Sequence, residues 1–179
     1  MNLSLKARKL TGFLFVSVLG TFLHFLYDLA GQSIAAGLIS AVNESIWEHM
    51  KLIYYPMLLF SVVEVAWGRE EKAAVRCSLL AGILLALVLI PVLYYTYTGI
   101  LGTSADWFNV TIFFLAAGAA YLLEYRLEQG MRKCHISVAA WWGILILIAA
   151  AFTAATFFPP RIPLFRDPVT GNYGIGRIG

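Results

Sequence analysis

Five runs of about 20 mostly apolar residues fill this sequence, and a run of that length matches the hydrocarbon core of a bilayer. They cover residues 10–30, 47–67, 77–98, 107–125 and 137–158. Backbone groups in hydrocarbon must bond within their own segment, so each run is predicted to be a helix. The third run is long enough to tilt or to continue past the membrane surface. Of the 179 residues, 60% are hydrophobic and 13% are charged. Soluble domains hold about 45–50% apolar and about 25% charged residues. Too few polar groups remain to cover a water-facing surface, which makes a lipid bilayer the expected partner. The expected fold class is all-α: an integral membrane bundle of five transmembrane helices over residues 1–158, then a tail over residues 159–179.

Orientation follows from Lys and Arg, which concentrate on cytoplasmic loops. With the N-terminus inside, Lys6, Arg8, Lys9, Arg69, Lys72, Arg76, Arg126, Arg132 and Lys133 are cytoplasmic, nine of the 13. Only Lys51, Arg161, Arg166 and Arg177 fall outside. The acids divide evenly, five to each side, so the net charge is +4 inside and −1 outside. The basic excess of +3 is therefore topology, not a nucleic-acid footprint, and it suits anionic headgroups on the inner leaflet. The expected arrangement is N-terminus cytoplasmic and tail extracytoplasmic. The first run begins like a signal peptide. Its length, the lack of a small-x-small site and the four later runs make it an anchor that stays.

Smaller features have structural explanations. Cys77 and Cys134 are too few for a disulfide framework, and at cytoplasmic helix ends they are expected to stay reduced. Small residues in 115–123 and 149–158 suit close helix packing. Trp47, Trp67, Trp107, Trp141, Trp142 and Tyr125 sit near run ends, as an interfacial belt would. Pro56 and Pro91 are expected to kink their helices, and Pro56 leaves the Leu52 carbonyl without its helical partner. Glu64 and Glu124, near Arg69 and Arg126, are expected to snorkel to the interface.

The stretch NESIWEHMK, residues 43–51, is the polar exception. Asn43 suits an N-cap, and Glu44 in the first turn would meet the positive end of the helix dipole. Glu44 and Glu48 share a face, and Lys51 can pair with Glu48. A capped, charged first turn accounts for much of this. It does not account for HFLYD in the first run, where His24 and Asp28 are also four apart. Counting back from residue 30 at 1.5 Å per residue, Asp28 lies about 3 Å and His24 about 9 Å below the outer end. Ionisable groups at such depth face partners or water-filled cavities. The loop 31–42 between the two runs has no charge and is expected to dip towards the interface.

His24, Asp28, Asn43, Glu44, Glu48 and His49 are thus candidate ligand or ion-binding residues, joined by Asp106 and Asn109 at the outer end of the fourth run. Imidazole with carboxylate is the ligand set of zinc and similar metals, and also of proton relays. His24, His49 and Glu48 are the candidate metal ligands, with a divalent ion such as zinc as the candidate cofactor. No HEXXH, P-loop or nucleophile elbow is present. Neighbours on a helix diverge by about 100°, so Glu48 and His49 cannot face one ion unless the backbone turns there.

The last run ends at PPRIP, and LFRDPVTGNYGIG follows. Asp167-Pro168 opens a turn, while Leu164, Phe165, Val169, Tyr173 and Ile175 are too apolar for a disordered tail. The tail is expected to fold across the outer face, where Arg161 or Arg166 would meet the excess acid. The N-E-S-x-W-E-H run and the closing F-x-D-P-x-x-G-x-Y-G-I pattern resemble a family of small bacterial multi-pass membrane proteins known only as a domain of unknown function. The resemblance spans nearly the whole chain. It implies a bacterial cytoplasmic (inner) membrane and brings no activity, cofactor or catalytic residue.

Three functions stay open on these residues. One is an outward-facing pocket for an ion, proton or small polar solute, for which a homodimer would supply the paired repeats of transporters. The second is a membrane-embedded metal-dependent hydrolase, with zinc on His24, His49 and a carboxylate. The third is a non-catalytic subunit whose polar network is structural.

Overall fold

The computed structural model describes residues 4–67, 72–130 and 134–175. The charges at Arg69, Glu70, Glu71, Arg132, Lys133 and Arg177, and the side chains of Trp67 and Lys72, lie outside the described residues. The helices are α1 (Leu5–Leu29), the single turn α2 (Ile34–Gly37), α3 (Ile46–Trp67), α4 (Lys72–Leu101), α5 (Asp106–Gly130) and α6 (Val138–Phe157). A 3-10 turn follows at Pro163–Phe165. Among the described residues there is no strand beyond one isolated antiparallel bridge, Arg166 to Tyr173.

Helix starts are chemically marked. Ser4 accepts from the Ala7 amide at 3.2 Å and Ser137 from the Ala140 amide at 3.1 Å, each satisfying a donor that the first turn leaves open. Helix α3 is central and packs on α1, α4, α6 and the 3-10 turn. Helices α4 and α5 pack along each other, with Ala116, Ala117 and Ala120 of α5 fully buried. Side chains that small let two backbones come close, and the contact energy is then van der Waals packing.

Four helices, α1, α4, α5 and α6, are long and apolar enough to cross a membrane. Helix α3 is not among these four, counted over the described residues. The reason is its buried charge: Glu48, Lys51 and Glu64 all lie on it and inside the bundle. Outward faces are greasy instead. Leu14, Val18 and Phe22 on α1, and Ile146 and Leu147 on α6, are exposed. An apolar surface of that extent suits a lipid environment.

Several expectations need correction. Cys77 and Cys134 are joined in a disulfide that ties the start of α4 to the chain just before α6, so they are not free thiols here. Trp47 and Trp141 do not belong to a surface belt. Trp47 packs between Phe152 and Phe165, and buried Trp141 donates its indole N–H to the Arg76 carbonyl at 3.0 Å. Glu64 and Glu124 do not snorkel. Both are buried and paired with Lys9, which reaches them from α1. Sequence distance misled here, since nearby Arg69 and Arg126 were the obvious partners and Lys9 comes from a remote part of the chain. Pro56 and Pro91 lie within continuous helices.

The Leu52 carbonyl that Pro56 leaves unpaired faces Gly20 of α1. A Cβ at Gly20 would stand 2.6 Å from that oxygen and 2.5 Å from the Phe113 ring. The α1–α3 contact therefore needs glycine. Gly20→Ala should lower stability by about 1–3 kcal/mol, the usual cost of overpacking. Gly118→Ala, whose Cβ meets only Phe13 at 3.9 Å, should not. Melting temperatures in detergent check this, and an unshifted Gly20→Ala would mean the helices have slack at this crossing.

Candidate functional site

Helix α3 begins at Ile46, later than an Asn43 cap would place it. Asn43 instead accepts from the Ser45 amide at 2.9 Å, an Asx turn, and its amide donates to the Gly174 carbonyl at 2.8 Å. The cap role passes to Ser45, whose hydroxyl oxygen lies 3.4 Å from the Glu48 amide. Glu44 is therefore in the turn before the helix, free of helical geometry. That is how two acids at helical spacing come to point to different places.

Glu44 swings towards α1. Its Oε2 lies 3.3 Å from His49 Nε2 and its Oε1 4.0 Å from His24 Nε2. The two imidazole rings are 5.3 Å apart. One ligand atom from each of His24, Glu44 and His49 falls within 4.8 Å of the others. His49 Nδ1 sits 2.9 Å from the Ser45 carbonyl. A carbonyl only accepts, so Nδ1 carries the proton and Nε2 is left to face Glu44. A hydrogen bond of this kind on the far nitrogen is what orients metal-binding histidines. When Nε2 is protonated as well, the hydrogen bond from the His49 imidazolium holds the Glu44 carboxyl below its usual range, against partial burial, which acts the other way.

The cluster opens on a cavity of about 530 Å³, lined also by Asp106, Asn109, Tyr94 and, from the tail, Pro168 and Val169. That volume lies within the roughly 300–1,000 Å³ of small-ligand sites. Asn109 is fixed by a hydrogen bond from Tyr97, while Asp106 is exposed.

Not every candidate comes to the cavity. Asp28 is exposed and accepts from the Gln32 side chain at 3.2 Å, so it is no buried partner of His24. Glu48 faces a different side of α3 from His49 and pairs with Lys51, the two side chains being 2% and 0% exposed. The carboxylate near the histidines is thus Glu44 and not Glu48, because α3 begins after Glu44. Lys51 also donates to the Gly37 carbonyl at 2.8 Å and to Thr156 Oγ1 at 3.0 Å. Glu48 accepts from the Val42 amide at 3.1 Å and from Thr156 at 2.9 Å. Arg161 and Arg166 are exposed, and neither makes an ion pair among the described residues.

The tail reaches this end of the bundle. Phe165 is buried against Trp47, and the Ile175 amide donates to the Thr156 carbonyl at 3.0 Å. Asp167 organises the turn by accepting from the Val169 amide at 2.8 Å and the Thr170 hydroxyl at 2.6 Å. Gly174 adopts φ 62°, and a Cβ there would stand 2.5 Å from the Thr156 carbonyl, so glycine is required twice over. Ser45 and Thr156 were absent from the sequence-based candidates. Ser45 had a sequence signal, standing directly before the first helical residue. Thr156 had none, as one hydroxyl in an apolar run.

The chain belongs to the family described as family of unknown function (DUF6512), whose model matches residues 2–175. No curated protein matches it. No solved structure matches it. The family assignment, with helices compatible with a membrane protein, leaves the chemistry to be read from the side chains.

Removing one member of the Glu48–Lys51 pair leaves the other buried and unpaired, which costs about 3–5 kcal/mol. Lys51→Met should therefore unfold well below the wild type, and Glu48→Leu/Lys51→Met should recover most of the loss. Unfolding in detergent against temperature reads both. A double variant no better than the single would show that the backbone contacts of Lys51, not its charge, hold this end.

Proposed function

We propose that this chain is a multi-pass membrane protein whose pocket binds a divalent transition metal such as zinc through His24, Glu44 and His49. One observation carries the reading: three ligand atoms from two helices and a turn lie within 4.8 Å of one another at the wall of a cavity. Ligands at about 2.0–2.1 Å from a tetrahedral ion stand about 3.3 Å apart. Glu44 Oε2 lies 3.3 Å from His49 and its other oxygen, Oε1, 4.0 Å from His24, so a shared ion would require only a small rotation of the side chains. Two neutral imidazoles and one carboxylate leave a bound zinc with net charge +1. A fourth position would remain for water or a ligand from the cavity that the three residues line.

That open position favours a second reading, a metal-dependent hydrolase. Structural zinc sites are closed by four protein ligands, and catalytic ones keep one place for water. The zinc would lower the pKa of that water, and the Asp106 carboxylate, which lines the same cavity, would be the candidate base.

In this reading α3 is the fifth crossing, shielded from lipid by its neighbours. The N-terminus is cytoplasmic and the pocket, with the tail over its mouth, opens on the outer side of a bacterial inner membrane. The charge distribution supports that orientation.

Elemental analysis of detergent-purified protein tests the site. About one metal per chain is expected in the wild type, with most of it lost in His24→Ala/His49→Ala. A folded wild type without metal, even after dialysis against zinc, sinks the proposal. Orientation has a separate check. Cys77 and Cys134, bridged in the structure, should nonetheless be reduced in intact cells if their end is cytoplasmic. A bridge that persists there would place that end outside.

A further inference from the structure

The other end of the bundle holds a second polar centre, unrelated to the cavity. Lys9 and His24 lie on the same helix, 15 residues and therefore about 22 Å apart. Arg8 and Lys9 of α1 meet Glu64 of α3 and Glu124 and Glu128 of α5. The side chains of Lys9, Glu64, Glu124 and Glu128 are 4%, 3%, 0% and 3% exposed. Among the described residues, two cations thus face three carboxylates. An unmatched charge without water is costly enough that the group takes up or gives up a proton instead.

The three carboxylates are not equally served. Glu128 contacts Lys9, lies 2.7 Å from Arg8 Nη2 and accepts from the Ser78 hydroxyl at 2.7 Å. Glu64 lies 2.9 Å from Lys9 and 2.8 Å from Arg8 Nε. Among the described residues Glu124 has Lys9 alone, at 3.0 Å, and it is the most buried of the three. One oxygen each of Glu64 and Glu124 is buried without a hydrogen-bond partner. The remaining titratable group beside the pair is Tyr121, one turn earlier on α5 and itself buried. Helix α4 presents Ser78 and Gly82 to this centre.

Gly82 decides what can neutralise the extra charge. A Cβ on it would stand 2.4 Å from Glu124 Oε1, 2.7 Å from its Cγ and 2.9 Å from its Cδ. The carboxyl is pressed against helix backbone whose amides are already bonded within α4. A metal cation needs several oxygen ligands at about 2.0–2.6 Å, and this face offers it neither the room nor the donors. A proton needs no room.

We infer that Glu124 is a proton-binding site, its carboxyl held as the neutral acid at neutral pH inside the Arg8–Lys9–Glu64–Glu128 network. The proton comes from water as the bundle assembles. It leaves two cations against two carboxylates among the described residues. The site makes this end of the molecule sensitive to pH without any histidine.

Infrared spectroscopy of detergent-purified wild type at neutral pH tests this. A protonated-carboxyl C=O band that shifts in D₂O is expected, and it should vanish in the near-isosteric Glu124→Gln. No such band in the wild type, or a band that survives in Glu124→Gln, overturns the proposal. If Glu124→Gln fails to fold, Gly82→Ala serves. Its added methyl presses on the Glu124 carboxyl, so the band must move, and an unmoved band assigns the proton elsewhere and overturns the site.

Discussion

The Lys51 ammonium is fully buried and has no water to solvate it. Everything at the cavity end of the bundle depends on how that charge is met. Glu48 supplies the counter-charge from one turn earlier, the Gly37 carbonyl comes from the turn after α1, and Thr156 reaches in from α6. Glu48 in turn holds the Val42 amide. One buried ion pair thus gathers α2, the turn before α3, α3 and α6. The same geometry faces Glu48 away from the histidines and leaves Glu44, outside the helix, to approach them. Buried pairs are poor sources of net stability but strong constraints on arrangement, because any other packing strands a charge.

The two polar centres on α1 are opposites in solvation. At the cavity end the side chains of His24, His49 and Glu44 are 32%, 26% and 49% exposed, so a ligand or an ion can reach them. At the other end Lys9, Glu64, Glu124 and Glu128 are sealed. Exposure decides the chemistry each can do. The open cluster can exchange water for a metal ligand. The closed one can exchange only what fits between packed side chains. Both draw on the same device, a polar side chain of α1 meeting acids carried by later parts of the chain.

Much of the all-α architecture was legible in the sequence, because a long apolar run has so few stable forms. The positions of the long helices followed from hydropathy alone, and NESIWEHMK and HFLYD stood out because polar residues are rare in such a chain. Asp28 and Glu48 were legible as charged but not as to direction. Helical spacing put them on plausible faces, while the actual start of α3, set by the Asn43 turn and Ser45, brought Glu44 rather than Glu48 to the histidines, and Asp28 faces outward near the end of α1. Lys9 looked like one more positive charge at a helix end. Its three acidic partners sit 55, 115 and 119 residues away in sequence, and no local pattern encodes a contact of that range.

The sequence by itself determined that this chain is helical and apolar enough to suit a lipid environment, and which few residues carry charge within it. Those follow from composition and run length, which are properties of each segment alone. Only the tertiary structure decided which carboxylate joins the histidines, which cysteines meet and which glutamates face Lys9. Those depend on where helices begin and how they cross. That is set by packing between segments, by the close approaches at Gly20 and Gly82, and by the need to leave no buried charge alone.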